Sequence, residues 1–242
     1  MRIGVVSDIH SNTPALEAVL RDMGPVDALW CLGDFVGYGP WPNECIALLR
    51  QRDVAALAGN HDLAAIGAMP IEEFFNRDAV MATRWTSSQL TAESQTYLQG
   101  LSPLAEYHGV TLAHGTPREP VWEYLMNEAV ARASFDLFST PLCLVGHTHI
   151  PCLFVQESSG QVTATHMQPG ATYTLRQDRA IVNPGSVGQP RDRDTRSSYL
   201  VYDTEQATLE WRRVAYDIAV TQKRMREVGL PQFFIDRLDL GV

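Results

Sequence analysis

Gly146-His147-Thr148-His149 places two imidazoles two residues apart, directly after the apolar run LCLV (142–145). Residues two apart in an extended chain face the same side, so both rings point into one small volume. Four other apolar runs lead to the same kind of residue. IGVV (3–6) leads to Asp8 and His10, WCL (30–32) to Gly33 and Asp34, AALA (55–58) to Gly59, Asn60 and His61, and TLA (111–113) to His114. Of the chain's seven histidines, only His108 and His166 fall outside this pattern.

Every one of these polar side chains can bind a metal ion. Taken singly, each fragment is an ordinary turn or helix cap; the repeated placement behind apolar runs is what such turns do not explain. Packed together, carboxylates and imidazoles need compensating charge, and cations supply it. No cysteine belongs to the set. A mixture of carboxylate, amide and imidazole suits manganese, iron, cobalt, nickel or zinc better than calcium or copper(I). A catalytic ion usually keeps three protein ligands and an open position, so this set is too large for one ion. It fits two divalent ions sharing a carboxylate, about 3.5–4 Å apart.

The elements that must position these residues follow from the pattern of apolar positions. IGVV (3–6), ALWCL (28–32) and VAALA (54–58) read as buried strands. Between them lie the helical patterns TPALEAVLRDM (13–23), with Thr13 as N-cap and Pro14 at the first helical position, and PNECIALLRQR (42–52). This alternation implies a parallel sheet covered by helices. Residues 62–100 carry helical patterns and no convincing strand, and form a helical insertion expected to overhang the strand ends. VTLAH (110–114) and LCLVGH (142–147) resume the sheet, with helix between at 123–138. CLFVQ, QVTATH, AIVNP, SYLVYD and TLEWRRV then read as strands, and helix returns from about residue 216. The expected architecture is α/β (α+β): one domain over residues 1–242, built from two packed sheets flanked by helices. In open α/β sheets ligands bind beyond the carboxyl ends of the strands, where the polar residues stand.

Composition narrows the partners. With 45% hydrophobic and 19% charged residues the chain has ample material for a core. Its longest apolar runs are about five residues, far short of the roughly 18 that span a bilayer. The amino terminus lacks the apolar region and cleavage site of a signal peptide, so a cytoplasmic location is expected. Cys31, Cys45, Cys143 and Cys152 include no CxxC pair, which argues against a zinc knuckle or redox motif. The net charge is −9, from 19 basic and 28 acidic side chains. That argues against an extended nucleic-acid surface or an anionic membrane. Two divalent ions, less two carboxylates and a hydroxide, still leave a local positive charge able to hold a phosphate.

Together, Asp8-x-His10, Gly33-Asp34, Gly59-Asn60-His61-Asp62, His114 and Gly146-His147-Thr148-His149 resemble the calcineurin-like metallophosphoesterases. IVNPGSVGQPRD (181–192) resembles their small prokaryotic phosphodiesterase branch. The resemblance implies a four-layer fold, a two-sheet sandwich flanked by helices. It implies that Asp8, His10 and His149 bind one metal and Asn60, His114 and His147 the other, with Asp34 as the bridge. His61 would be the acid for the leaving group. Asp62 either orients His61 or caps a helix over 62–68.

The likeness is incomplete at one point. Many relatives follow Gly-Asp with an Asp-Arg pair that helps to hold substrate, whereas this chain reads GDFVGYGP (33–40). Phosphate contacts must come from elsewhere, and Asn12 and Arg191 are the candidates. The activity implied is metal-dependent hydrolysis of phosphoesters, by a phosphodiesterase or phosphatase acting on a small-molecule or nucleotide substrate. The competing classes are a non-catalytic metal-binding scaffold on the same fold, expected to have lost ligands, and a nuclease, disfavoured by the missing basic surface. The oligomeric state is left open, a homo-oligomer included.

Overall fold

A computed structural model describes residues 1–52 and 54–242. The first third builds β1 (Arg2–Val6), α1 (Thr13–Met23), β2 (Ala28–Cys31), α2 (Pro42–Arg50) and β3 (Val54–Ala56). The three strands pair in parallel, as the strand–helix alternation requires. Helices α3 (Asn60–Ala65), α4 (Ile71–Phe74), α5 (Arg77–Gln89) and α6 (Ala92–Gln99) follow. Next come β4 (Leu104–Tyr107), β5 (Val110–Ala113), α7 (Glu128–Phe135), β6 (Leu142–Val145), β7 (Cys152–Gln156), β8 (Val162–His166), β9 (Thr172–Thr174) and β10 (Arg179–Asn183). The chain closes with β11 (Ser197–Asp203), β12 (Thr208–Val214), α8 (Ile218–Glu227) and α9 (Gln232–Leu240).

Two six-stranded sheets result, in the orders β3-β2-β1-β11-β12-β9 and β4-β5-β6-β10-β7-β8. Side chains alternate across each strand, so each sheet has two apolar faces to cover. Ile3, Val5, Trp30, Leu112, Leu144 and Trp211 pack between the sheets. The opposite face of the first sheet, with Val6, Cys31 and Val201, is covered by α1 and α2 through Leu16, Val19, Ile46 and Leu49. On the second sheet Ala113, Cys143, Val145 and Ile181 lie under Ala131 and Phe135 of α7. Each fully buried Leu, Ile or Phe contributes about 1.5–3 kcal/mol. The four layers expected from the sequence are present, with β1–β3 and β5–β6 ending at a common rim.

Local differences have physical causes. Strand β3 stops at Ala56, two residues earlier than the apolar run suggests: Leu57 N–H still donates to Cys31 O at 2.9 Å, but Ala58 N–H leaves the sheet for Ser102 O at 2.9 Å. The helix expected over 123–138 forms only at Glu128–Phe135, capped by Asn127. Strands β4 and β9, not expected from the sequence, are short and largely exposed, so they carry little apolar alternation. The N-cap of α1 is Asn12, not Thr13. Among the described residues no helix is long and apolar enough to cross a membrane.

Candidate metal centre

The candidate ligand set is delivered by turns that leave the strand ends abruptly. Asp8, His10, Asp34, His147 and His149 all have left-handed backbone, with φ of 53°, 49°, 54°, 67° and 61°. Such conformations cost on the order of 1–3 kcal/mol each and persist where the surroundings enforce them. Here backbone bonds enforce them: Asp8 N–H donates to Gly33 O at 3.1 Å, His10 N–H to Asp34 O at 3.0 Å, and Gly146 N–H to His114 O at 2.9 Å. Close approach needs glycine at two points. A Cβ at Gly59 would stand 2.0 Å from Asp34 Oδ1, and one at Gly33 2.6 Å from Gly59 N.

Hydrogen bonds also fix the tautomers. His10 Nδ1 meets Val36 O at 3.0 Å, His114 Nδ1 meets Leu32 O at 2.8 Å, and His149 Nδ1 meets Gln189 O at 2.6 Å. A carbonyl can only accept, so each Nδ1 carries a proton, and in the neutral ring Nε2 keeps a free lone pair. His147 is reversed: its Nε2 donates to Trp122 O at 3.2 Å, which frees Nδ1.

The free lone pairs converge on two carboxylates. Ligand atoms of Asp8, His10, Asp34 and His149 lie within 4.8 Å of one another, and so do those of Asp34, His114 and His147. Asp34 belongs to both groups. Its Oδ1 accepts from the His61 backbone N–H at 2.9 Å, whereas its buried Oδ2 has no hydrogen-bond partner among the described residues. That oxygen stands 3.5 Å from His10 Nε2 and 3.5 Å from His114 Nε2. Asn60 Oδ1 lies 3.1 Å from His114 Nε2. All seven residues are buried.

Charge follows burial. Burial pushes the Asp8 carboxyl up to about 7 and holds His10 and His149 well below the usual histidine range, with His147 down at about 3. Burial acts against Asp34 as well, but His114 and the neighbouring imidazoles outweigh it and hold Asp34 below the carboxylate range; Asp34 in turn lifts His114 to about 9 against burial. Most of the rings are therefore neutral near pH 7, the form that binds metal. An orphaned carboxylate oxygen, converging lone pairs and buried acids fit divalent cations. No thiolate competes: all four cysteines are buried and free, and burial raises their thiols.

The other candidate residues fall into three places. His61 is buried beside the set, stacked on Phe75 at 4.7 Å and against Tyr38 at 4.3 Å, and its Nδ1 has no partner among the described residues. The Asp62 carboxylate is directed to backbone groups and not to that ring. It accepts from Gly59 N–H at 2.9 Å and Val36 N–H at 3.1 Å, tying the third residue of α3 back to its N-cap and to the Asp34 turn. It thus braces the loops, and burial raises it to about 7. Asn12, expected to meet phosphate, is saturated by the protein. Nδ2 donates to Gly188 O and Tyr216 Oη, and Oδ1 accepts from Ala15 N–H and Thr221 Oγ1. Arg191 does lie at the centre. Its backbone N–H donates to His149 O at 3.4 Å and its Nη2 to Gln189 Oε1 at 3.1 Å, its Cζ stands 5.9 Å from the Tyr38 ring, and its buried Nε has no partner among the described residues.

Sequence reasoning missed several supporting residues. Asn183 Nδ2 donates to Gly146 O at 2.6 Å and Thr148 Oγ1 at 3.0 Å, fixing the His147–His149 turn. Ser186 Oγ donates to Asp8 O at 2.8 Å. The NPGSVGQ stretch (183–189) was the available signal for both. Tyr38 of the GDFVGYGP turn lies 4.6 Å from His10, and Tyr124 stacks on His147 at 4.0 Å and 4°.

Residues 1–207 match the calcineurin-like phosphoesterase superfamily domain. The fold and the rim of acids, amide and imidazoles are those of a metal-dependent hydrolase of phosphoester bonds, and the chain belongs to that superfamily. It is 36% identical over 247 residues to an uncharacterized protein of Methanocaldococcus jannaschii, covering 99% of this chain and 98% of that one. A metallophosphoesterase from Sphaerobacter thermophilus shares 45% identity over 100% of this chain and 99% of its own, with a TM-score of 0.92. A hypothetical protein from Pyrococcus horikoshii has the same fold at 21% identity, with a TM-score of 0.82 over 100% and 98% of the two chains.

Proposed function

We propose that the chain hydrolyses phosphoesters of small molecules or nucleotides at a pair of divalent ions, drawn from manganese, iron, cobalt, nickel and zinc. The observation that carries this reading is Asp34 Oδ2, buried, unpartnered and equidistant from His10 and His114. Asp8, His10 and His149 would hold one ion, Asn60, His114 and His147 the other, and Asp34 both. When bound, the ions supply an activated water and positive charge for the phosphate.

The chain's own residues do the rest. Carbonyls of Val36, Leu32 and Gln189 hold imidazoles in the binding tautomer, and Asn183 and Ser186 fix the turns. His61 is held between Phe75 and Tyr38; burial lowers it to about 4, and the negative charge of a bound phosphate would offset that burial and let it donate a proton to the departing oxygen. Arg191 reaches the phosphate with Nε, which has no partner among the described residues, while Nη2 donates to Gln189 Oε1. Asp62 acts as a brace. A complete ligand set favours catalysis over a scaffold role. Four free, buried cysteines suit a reducing compartment, and the cytoplasm is the location we propose.

The test is hydrolysis of an aryl phosphate monoester and diester by chelator-treated protein restored with each of the five metals. Turnover should appear only with metal. Absence of hydrolysis with every ion, or equal turnover in chelator, overturns the reading.

A further inference from the structure

Four aromatic side chains are exposed among the described residues: Phe74, Tyr107, Tyr124 and Phe233. Scattered singly, such rings need no explanation, but two of them lie against the candidate metal centre. The Tyr124 ring lies flat on His147, with centroids 4.0 Å apart and planes at 4°, yet Tyr124 is 45% exposed. His147 is buried, so that exposure belongs to the opposite face of the tyrosine and its edge. Phe74 stacks on Trp122 at 4.5 Å and 15° and is 52% exposed. The Trp122 carbonyl oxygen accepts from His147 Nε2, and the Trp122 ring stands edge-on to Phe75, which stacks on His61. Each open face thus belongs to a run of rings that ends on a candidate metal ligand or on the candidate acid.

The segment carrying Trp122 and Tyr124 is braced although it precedes α7 without regular structure. Leu125 is buried with Ala131 and Phe135 against the second sheet. The Glu123 carboxylate accepts from Thr116 Oγ1 at 2.6 Å and from Arg118 Nε at 3.0 Å. Both chain neighbours of Tyr124 are therefore tied down, and the ring keeps its place on His147. A flat partner stacks at low entropic cost on a ring already fixed. The Trp122 carbonyl already orients His147, so a tyrosine with one face in water adds a surface on which a further ring can stack.

We propose that Tyr124 and Phe74 are specificity-determining residues of this site, offering their open faces to a planar aromatic ring carried by the leaving group, with the flatness of a nucleobase. This rests on the phosphoester reading above, in which His61 protonates the departing oxygen. The group on that oxygen then starts beside Phe75, and the aromatic run from Phe75 through Trp122 leads to Phe74. Stacking needs a π face and no particular pattern of donors and acceptors, so the platform favours nucleoside and aryl leaving groups without separating one base sharply from another. An alkyl leaving group reaches the same acid and lacks the flat face to stack.

The experiment compares Tyr124→Leu, Tyr124→Phe and Phe74→Leu with the parent, all metal-restored and checked for folding and metal content. The two compounds are adenosine 5′-phosphate and methyl ribofuranoside 5-phosphate, which share the phosphoester and the departing alcohol and differ in the base. Turnover gives a ratio of kcat/KM, and calorimetry gives a ratio of affinities whether or not either compound is hydrolysed. The parent should favour the nucleotide by about 5- to 150-fold, the range for a base stacked on an aromatic ring. Tyr124→Leu should lose most of that preference, whereas Tyr124→Phe, which keeps the ring, should retain it. Phe74→Leu should lower the ratio as well, and it decides the matter if Tyr124→Leu loses metal through His147. A parent without preference for the nucleotide, an unchanged ratio in both leucine variants, or equal losses on the two compounds overturns the platform. So does a dimeric parent whose leucine variants are monomers with an unchanged ratio, since the open faces would then pack on a second copy. If the parent hydrolyses neither these compounds nor the aryl phosphates, the phosphoester reading fails, while the affinity ratio still reads the platform.

Discussion

The Nε2 atoms of His10 and His149 stand 3.1 Å apart, and each ring already gives its Nδ1–H to a backbone carbonyl. Neutral rings so held have no proton to place between the two nitrogens. Two lone pairs therefore face each other in a buried site, an arrangement that a cation stabilises and that metal-free protein must tolerate. Adding a binding ion should raise the thermal midpoint, by mass action on the folded state alone. Thermal unfolding of chelated protein with and without each ion measures this; an unchanged midpoint for all five would mean that the lone pairs do not hold metal.

Stability of the chelated protein should also depend on pH with a definite sign. His10, His61, His147 and His149 have folded values below the ordinary 6.5, with His61 at about 4 and His147 at about 3. Their contribution is present above 6.5 and is lost as pH falls toward 3. His114, raised to about 9, contributes below 6.5 and loses that contribution as pH rises through 9. Asp8 and Asp62, raised to about 7, lose theirs between 3.8 and 7. The four histidines outnumber the two acids, so stability should peak near pH 6.5 and fall on both sides. A denaturant midpoint that climbs steadily from pH 6 to pH 4 would contradict this balance.

Replacing His61 separates proton donation from metal binding. His61→Gln should keep both ions yet lose about 10²–10⁴-fold in rate, whereas His147→Gln should lose an ion. The defect should be smaller on a nitrophenyl ester, whose leaving group is stable without a proton, than on an alkyl ester. Rate ratios on both esters, with metal analysis, decide it. Equal ratios, or metal loss in His61→Gln, would make His61 a ligand or a positioning group.

Asn12 should behave as a structural residue. Asn12→Ala removes the α1 cap and leaves Thr221 Oγ1 and Tyr216 Oη without their partner. We expect a loss of about 2–3 kcal/mol in unfolding free energy with KM little changed. Arg191→Gln should do the reverse, raising KM at nearly constant stability. A large KM increase in a stable Asn12→Ala protein would return Asn12 to the substrate.

What the sequence disclosed, and what it hid, follows from how local each signal is. The candidate ligands were legible because each follows a short apolar strand that can lie only in a sheet interior. Asp62 was ambiguous because adjacency to His61 says nothing about direction; as third residue of α3 its carboxylate turns back to Gly59 instead. Asn12 and Thr13 are both good caps, and the choice between them is made by Gly188, Tyr216 and Thr221, about 180 to 210 positions away. Strand β4 has an exposed Leu104, so its pairing with β5 leaves no apolar pattern to read. Phe234 looks like any apolar residue of an amphipathic helix until α9 is packed on Tyr38.

Metal content of Asp34→Ala tests the central claim most directly. Parent and variant are stripped with chelator, restored with manganese or zinc, freed of loose ions and analysed for metal per chain alongside turnover. If Asp34 is shared between two ions, the parent should hold about two per chain. The variant should then hold one or fewer, with hydrolysis abolished. A parent that binds only one ion, or an Asp34→Ala protein with full occupancy and normal turnover, would contradict the account.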